Sequence, residues 1–322
     1  MWKDNVRTVE PYVPGEQPKV NNLIKLNTNE NPYPPAPAVS KALKEMDYDA
    51  FRKYPDPTCS VLVNALAKEY GLKTSQVFVG VGSDDVLAML FLTFFNGKKP
   101  VLFPDITYSF YDVWANLYRI PYKQIPLTED FKINTDDYLQ ENGGIVIANP
   151  NAPTGELLGV GEIEKIVKAN PDSVVIVDEA YHYFYSRSFL KQALSAPNVV
   201  VLRTFSKLMS LAAVRLGVVI GNPELVGCVR NLRLTFDANA IALLFAERLM
   251  EHPEIVDSLI KTQQEGKDWL LGQLRAQKYW CRDCMGNFIF IKTANLFAVF
   301  VIIFFCGKTT NTFGFTTTRC ST

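Results

Sequence analysis

The chain has 322 residues, of which 48% are hydrophobic and 20% charged, as is ordinary for a globular protein. Its 33 basic residues balance 33 acidic ones, so no global field favours nucleic acid or an anionic membrane as a partner. A small-molecule enzyme fits this balance better, and the length suits about two domains.

The cysteines and the first residues predict a reducing, cytoplasmic setting. Residues 1–5 lack the basic and then apolar pattern of a signal peptide. Six scattered cysteines are too few for a disulfide scaffold. Cys281 and Cys284 form one CxxC without a second ligand pair, so we interpret them as ordinary thiols and expect no metal site.

The first two-thirds of the sequence predict an extended arm followed by an α/β domain. Residues 1–37 are rich in Pro and Asn, which favours irregular structure. Six short apolar runs then alternate with helical stretches such as Asp84–Phe95 and Gly161–Ala169. The runs are Val77–Val79, Val101–Phe103, Ile145–Ile147, Val174–Val177, Val199–Leu202 and Val218–Ile220. Such runs are typical of strands buried on both faces of a mainly parallel sheet.

The last third begins with helical patterns. Leu243–Met250 and Glu254–Arg275 predict helices, and Phe288–Ile291 predicts one more strand. We therefore expect an N-terminal arm over residues 1–37, a large domain over 38–250 and a small C-terminal domain over 251–322.

Polar motifs follow four of the predicted strands. In open α/β sheets, ligands bind beyond the carboxyl ends of the strands. The motifs are Gly80–Asp85, Asn149–Gly155, Asp178–Tyr181 and Arg203–Lys207. Each alone is most often a turn, a helix cap or a surface charge. Their joint order and placement predict one cofactor site.

Together with the arm, these motifs resemble the pyridoxal-phosphate (PLP) enzymes of fold type I and, within them, the histidinol-phosphate aminotransferases. The resemblance covers residues 5 to about 293. The motifs that carry it are Arg7–Gly15, Leu26–Pro32, Tyr54–Pro57, Gly82–Asp85, Thr107–Tyr108, Asn149–Gly155, Asp178–Tyr181, Ser206–Lys207 and Arg215–Gly217. It implies a large domain whose mainly parallel seven-stranded sheet is sandwiched by helices, plus a smaller α/β domain.

The resemblance also implies which residues hold the cofactor ring. Lys207 would bind PLP as a Schiff base and later move a proton as general acid and base. Asp178 would pair with the pyridinium nitrogen, so that the ring acts as an electron sink. Tyr181 and Asn151 would hydrogen-bond the ring hydroxyl oxygen, and Tyr108 would stack on the ring.

The same resemblance implies a phosphate site at the start of a helix. The backbone N–H groups around Gly82, Ser83 and Asp84 would receive the anion, because helix N-termini attract negative charge. Ser206 and Arg215 would add a hydroxyl and a guanidinium.

Further positions follow from the family pattern. The tyrosine at Tyr54 would reach the phosphate of the neighbouring subunit, which implies a homodimer with shared sites. Tyr12 and Asn31 would line the substrate side. Many relatives have Asn directly before Pro-Thr-Gly, where this chain has Ala152, so we assign the ring-oxygen contact to Asn151.

The implied reaction is transamination between L-histidinol phosphate and 2-oxoglutarate, giving imidazole-acetol phosphate and L-glutamate in histidine biosynthesis. Alternatives with the same cofactor are an aromatic-amino-acid aminotransferase, a threonine-phosphate decarboxylase and a PLP-binding protein with impaired catalysis. A nucleotide-dependent oxidoreductase would rest on Gly80-x-Gly82, but the third glycine is lacking and Lys207, Asp178 and Tyr181 are left without a role.

The sequence from about Ala294 departs from the family. Leu296–Cys306 is an apolar run of eleven residues, too short to cross a bilayer, which needs about 20. Arg319, the one arginine in this tail, lies in surroundings unlike the family's carboxylate-binding strand. We expect a frameshifted or altered end and an incomplete small domain, which would leave cofactor binding intact and weaken substrate binding. The alternative is a divergent but genuine ending.

Overall fold

The computed structural model describes residues 2–9, 28–184, 188–292, 298–300 and 317–319. Tyr12 and most of the tail therefore lie outside the described residues. The strands are β1 Val77–Gly80, β2 Val101–Pro104, β3 Tyr122–Ile125, β4 Gly144–Ala148, β5 Val175–Asp178, β6 Val199–Thr204, β7 Gly217–Gly221, β8 Trp280–Arg282, β9 Ile289–Lys292, β10 Ala298–Phe300 and β11 Thr317–Arg319.

The α-helices lie between and beyond these strands, and several begin where a strand ends. They are α1 Pro37–Lys44, α2 Ser60–Tyr70, α3 Gly82–Phe94, α4 Phe110–Tyr118, α5 Val160–Ala169, α6 Leu190–Ala193, α7 Pro223–Leu232, α8 Ala240–Met250 and α9 Glu254–Ala276. All six predicted strand runs of the first sheet and the helices predicted around 84, 161, 243 and 254 are confirmed.

The first sheet has seven strands in the order β1-β7-β6-β5-β4-β2-β3. Its strands are parallel except β7, which runs antiparallel to both β1 and β6. The predicted mainly parallel sheet is thus confirmed. Because β1, β2, β4, β5 and β6 point the same way, their carboxyl ends share one edge of the sheet.

Buried apolar side chains cover both faces of this sheet. On β5, Ile176 points into one cluster with α3 and α4, whereas Val175 and Val177 point into another with α5. Beside the β1 and β7 end, a third cluster joins the sheet to α2 and α8. Alternation of side chains along a strand produces this sandwich, since successive residues face opposite sides.

A second, antiparallel sheet has the order β11-β10-β9-β8. Val299 pairs with Phe290 of β9, and Thr318 of β11 pairs with Val299. The sequence predicted β9 but placed no element in the tail, whereas the backbone at 298–300 and 317–319 is extended. Helix α9 packs on β8, which attaches this sheet to the helical segment.

Candidate active site

The candidate site lies at the edge where the parallel strands of the first sheet end. Asp178, the last residue of β5, pairs in register with Ala148 of β4 and Leu202 of β6. The loop that follows β4 and begins at Asn149 therefore lies on one side of Asp178. The loop that follows β6 and carries Lys207, here called the Lys207 loop, lies on the other. Most of the predicted motifs meet here because neighbouring parallel strands end together.

Asp178 is a carboxylate buried at the centre of the site, with 5% of its surface exposed. Its Oδ2 accepts a hydrogen bond from Tyr111 Oη at 2.8 Å, and its Oδ1 accepts one from the Ala180 backbone N–H at 3.0 Å. Burial raises the pKa of Asp178 to about 6, although these two bonds and the charge of Lys207 act in the opposite direction. A cationic ligand group next to this carboxylate would relieve the cost of its burial.

Lys207 follows β6 and reaches the same edge. Its Nζ donates to the Thr28 carbonyl at 3.1 Å and lies 5.6 Å from the centroid of the Tyr181 ring. Tyr181 itself is buried, and its Oη accepts a hydrogen bond from Asn29 Nδ2 at 2.8 Å. Because Asn29 occupies an acceptor position of this phenol, the O–H of Tyr181 remains available to donate.

The turn between β1 and α3 forms a cradle for an anion. Gly82 has a φ of +83°, and a Cβ there would lie 2.6 Å from Arg215 Nη2. A Cβ on Gly217 of β7 would lie 2.8 Å from the Ser83 backbone nitrogen. Glycine at both positions lets the backbone and the guanidinium approach the N-terminus of α3 closely.

Tyr108 and Arg215 meet on Asp84 at this cradle. The phenol donates to Asp84 Oδ1 at 2.6 Å, and Arg215 Nη2 lies 3.4 Å from Oδ2. Burial and the Asp84 charge raise the pKa of Tyr108, so it stays a donor. Arg215 Nη1 also lies 3.5 Å from the hydroxyl of Ser206, which is buried.

Asn151 is fully buried and braces the loop after β4. Its amide nitrogen donates to the Ile106 carbonyl and to Thr154 Oγ1, both at 2.9 Å, while its oxygen accepts from Thr107 Oγ1 at 2.7 Å. Both amide hydrogens are thereby used. These bonds hold the loop after β4 in place, and the contact of Asn151 with the ring hydroxyl oxygen stays a prediction.

Asn31 likewise holds protein groups together. Its amide nitrogen donates to the Leu208 carbonyl at 2.7 Å, and its oxygen accepts from Gln263 Nε2 at 2.8 Å and from the Tyr33 backbone N–H. It thus ties the end of the arm to the Lys207 loop and to α9. The contact of Asn31 with the substrate stays a prediction, and Tyr12 lies outside the described residues.

Tyr54 lies on the surface and is 80% exposed. Its ring stacks on that of Phe236, with centroids 4.6 Å apart and planes 19° from parallel. Leu234, close by in sequence to Phe236, is 78% exposed. The exposed surface of the stacked Tyr54 and Phe236 rings is here called the tyrosine patch.

A buried ion pair that the sequence reasoning missed lies beneath the site. Glu179 follows Asp178 and accepts from Arg203 Nη2 at 2.8 Å, with 0% of the glutamate side chain and 5% of the arginine side chain exposed. Glu179 Oε1 also accepts from the Phe189 backbone N–H at 2.7 Å. The sequence did contain a signal for this pair, because Glu179 lies in the Asp178–Tyr181 motif and Arg203 begins the Arg203–Lys207 motif.

Of the two CxxC cysteines, Cys284 is buried and Cys281 is partly exposed. Cys284 is buried against Gly155, and burial raises its pKa to about 12. Across the described ranges, no group of three or more His, Cys, Asp or Glu side chains could hold a metal ion. Within the same part of the chain, no helix is both long and apolar enough to cross a membrane.

The collected groups fit one kind of ligand. A buried carboxylate suits a protonated ring nitrogen, an amine suits an aldehyde, and a phenol suits a ring hydroxyl oxygen. A helix N-terminus with a guanidinium and a hydroxyl suits a phosphate. Lys207, Asp178, Tyr181 and Arg215 supply these groups at one edge of the sheet, and together they are the donor set that PLP requires.

Comparison with known proteins defines the family. The model of the family described as aminotransferase class I and II matches residues 21–293, ending where the motif resemblance ends. Histidinol-phosphate aminotransferase from Lactococcus lactis subsp. cremoris is 44% identical over 298 aligned positions, and the match covers 90% of this chain and 82% of that protein. Histidinol-phosphate aminotransferase 1 from Hydrogenovibrio crunogenus is 52% identical over 237 residues, covering 74% of this chain and 67% of that protein. The chain therefore belongs to the class I and II aminotransferases and, within them, to the histidinol-phosphate aminotransferases.

A solved structure shows the same fold. Histidinol-phosphate aminotransferase from Sinorhizobium meliloti, in complex with pyridoxal-5'-phosphate, superposes with a TM-score of 0.78 at 20% identity. The match covers 83% of this chain and 75% of that one. The predicted fold type I architecture is confirmed.

Proposed function

We propose that this chain is a PLP-dependent histidinol-phosphate aminotransferase, acting on L-histidinol phosphate and 2-oxoglutarate in histidine biosynthesis. The observation that carries the proposal is the meeting of Lys207, Asp178 and the α3 N-terminus at one sheet edge in a chain of this family. The cofactor supplies a ring that accepts electrons from the substrate carbon and carries the amino group between the two half-reactions.

The chain's own residues bind and orient the cofactor. Asp178 holds a proton on the ring nitrogen, because a buried carboxylate is stabilised by an adjacent positive charge. Tyr181, oriented by Asn29, donates to the ring hydroxyl oxygen. Ser83, Ser206 and Arg215 receive the phosphate at the start of α3.

Lys207 is the proposed catalytic residue. Its Nζ lies beside the Tyr181 ring and donates to the Thr28 carbonyl. An amine there would hold the cofactor covalently. Once the amino group of the substrate displaced it, Lys207 Nζ would be free to take the proton from the substrate carbon and deliver it to the cofactor carbon.

The proposed partner is a second copy of this chain. The tyrosine patch leaves aromatic surface in water, which is expensive unless another surface covers it. A two-fold dimer would let Tyr54 of each protomer reach the phosphate in the neighbouring site. This arrangement would cover the exposed ring of Tyr54.

Mixing two inactive variants tests the shared site. Tyr54→Ala and Lys207→Ala would each be inactive alone, but a mixed dimer contains one site with both residues intact. Random exchange of subunits should restore roughly a quarter of wild-type turnover, since about half of the dimers are mixed and each has one of two sites. Absence of restored activity in verified mixed dimers would show that the sites are not shared.

The substrate is tested by comparing amino donors. We expect histidinol phosphate, with 2-oxoglutarate as acceptor, to give a kcat/KM above that of phenylalanine by at least roughly a hundredfold, because a site selected for a phosphorylated substrate forms charge-assisted hydrogen bonds that phenylalanine cannot make. Preference for phenylalanine would instead identify an aromatic-amino-acid aminotransferase. Release of carbon dioxide from threonine phosphate would identify a decarboxylase.

A further inference from the structure

Tyr111, which the sequence reasoning passed over, contacts the central carboxylate of the site. It lies on α4 and is 0% exposed, and its Oη donates to Asp178 Oδ2 at 2.8 Å. Its ring packs edge-on against Tyr108, with centroids 5.7 Å apart, and against Phe103 at 5.8 Å. This packing fixes the direction from which the hydroxyl reaches Asp178.

The phenol acts only as a donor in this contact. Burial, followed by the nearby Asp178 charge, raises the pKa of Tyr111 well above its ordinary value. With the Ala180 backbone N–H on Oδ1, each oxygen of the carboxylate has one protein donor and keeps one lone pair. The carboxylate plane is therefore set before any ligand arrives.

The other charged and titratable groups facing Asp178 come from α3 and the Lys207 loop. Asp84 raises the pKa of Asp178, and Lys207 lowers it. Tyr108, the neighbour of Tyr111, is committed to Asp84 at 2.6 Å. Tyr111 is thus the side chain that hydrogen-bonds Asp178 directly among the described residues.

We propose that Tyr111 is a positioning residue of the cofactor site, which orients Asp178 and lowers its affinity for a proton. The proposal rests on the proposed function, because the proton concerned is shared with the ring nitrogen of the cofactor. A less basic carboxylate leaves that proton on the ring nitrogen, where electron withdrawal requires it. Removing the hydroxyl shifts the proton towards Asp178.

The test compares two buried tyrosines in the cofactor-free protein. Tyr111→Phe removes the donor to Asp178, whereas Tyr138→Phe removes a buried hydroxyl that has no partner among the described residues. The pKa of Asp178 is followed by carbon-13 NMR of labelled aspartate, with Asp178→Asn used for assignment. We expect Tyr111→Phe to raise this pKa by about one unit, a tenfold change in proton affinity, and Tyr138→Phe to leave it unchanged. An unchanged pKa in Tyr111→Phe, or an equal shift in both variants, would overturn the proposal.

A second measurement keeps the proposal testable if Tyr111→Phe does not fold. Incorporation of 3-fluorotyrosine at position 111 keeps the ring and makes the phenol a stronger donor, so the pKa of Asp178 should fall. A rise or no change would refute the proposed role.

Nitrogen-15 NMR of the bound cofactor extends the test to the loaded protein. In Tyr111→Phe, the chemical shift of the cofactor ring nitrogen should move towards that of the unprotonated ring. In an Asp178→Asn background, adding Tyr111→Phe should not lower turnover further. If the protein does not bind PLP at all, the proposed function fails while the carbon-13 titration still decides the role of Tyr111.

Discussion

Asp178 destabilises the cofactor-free protein at neutral pH, and this cost can be measured by replacing it with asparagine. In the folded chain its pKa is about 6, compared with 3.8 for the ordinary group, and burial is the main cause. Between these two values the folded protein retains a proton that the unfolded chain has released. Rising pH therefore lowers the stability of the folded state through this window.

The size of the effect follows from the shift. A rise from 3.8 to about 6 corresponds to on the order of 3 kcal/mol, since one pKa unit equals about 1.36 kcal/mol. Asp178→Asn removes the charge while keeping the shape of the side chain. Below pH 3.8, the ordinary pKa of the carboxyl, the variant should be as stable as the wild type. Above pH 6, near the pKa in the folded chain, its free energy of unfolding should exceed that of the wild type by on the order of 3 kcal/mol.

Thermal unfolding of the cofactor-free proteins across this pH range provides the assay. For a chain of this size, on the order of 3 kcal/mol corresponds to a Tm difference of roughly 5 °C at neutral pH, falling towards zero in mild acid. Addition of PLP should reverse the order, because the ring nitrogen compensates the carboxylate only in the wild type. A Tm difference that does not vary with pH would refute the assignment of the cost to Asp178.

Three further outcomes follow from the described contacts. Gly217→Ala should weaken PLP binding at least roughly tenfold, measured by equilibrium dialysis, whereas Gly227→Ala, with open space around it, should be neutral. Glu179→Gln should lower thermal stability by the equivalent of about 3–5 kcal/mol, because it leaves a buried guanidinium without its charge partner. Iodoacetamide should alkylate exposed Cys228 well before buried Cys284, as peptide mapping would show, because burial suppresses the Cys284 thiolate.

The sheet was predictable because its strands carry a simple signal. Runs such as Val199–Leu202 are short and apolar throughout, which is typical of a strand covered on both faces. β3 was missed for the opposite reason: Tyr122–Ile125 is an edge strand with exposed Lys123 and Gln124, so its pattern resembles a loop. β8 was also missed, since its three residues are too short to show a period.

The residues of the candidate site also differ in whether a local sequence pattern could predict them. Residues within contiguous motifs, such as Asp178 and Lys207, could be found because strand order predicts where they meet. Asn29 and Tyr111 could not be found in this way, because their roles depend on distances across 152 and 67 residues of sequence. Asn151 was assigned from its motif, yet which of its atoms remain free is decided by Ile106 and Thr154, and no local pattern shows that.

The most direct test of the central claim is the absorbance spectrum of the purified protein with PLP, recorded before and after addition of histidinol phosphate without an acceptor. The visible band of the lysine-bound cofactor should be present, should be absent in Lys207→Ala and should disappear on adding the amino donor as the amino group moves to the cofactor. Addition of 2-oxoglutarate should restore the band. A band that forms but does not respond to histidinol phosphate, glutamate or any other amino donor would contradict the account, and would identify a PLP-binding protein without transaminase activity.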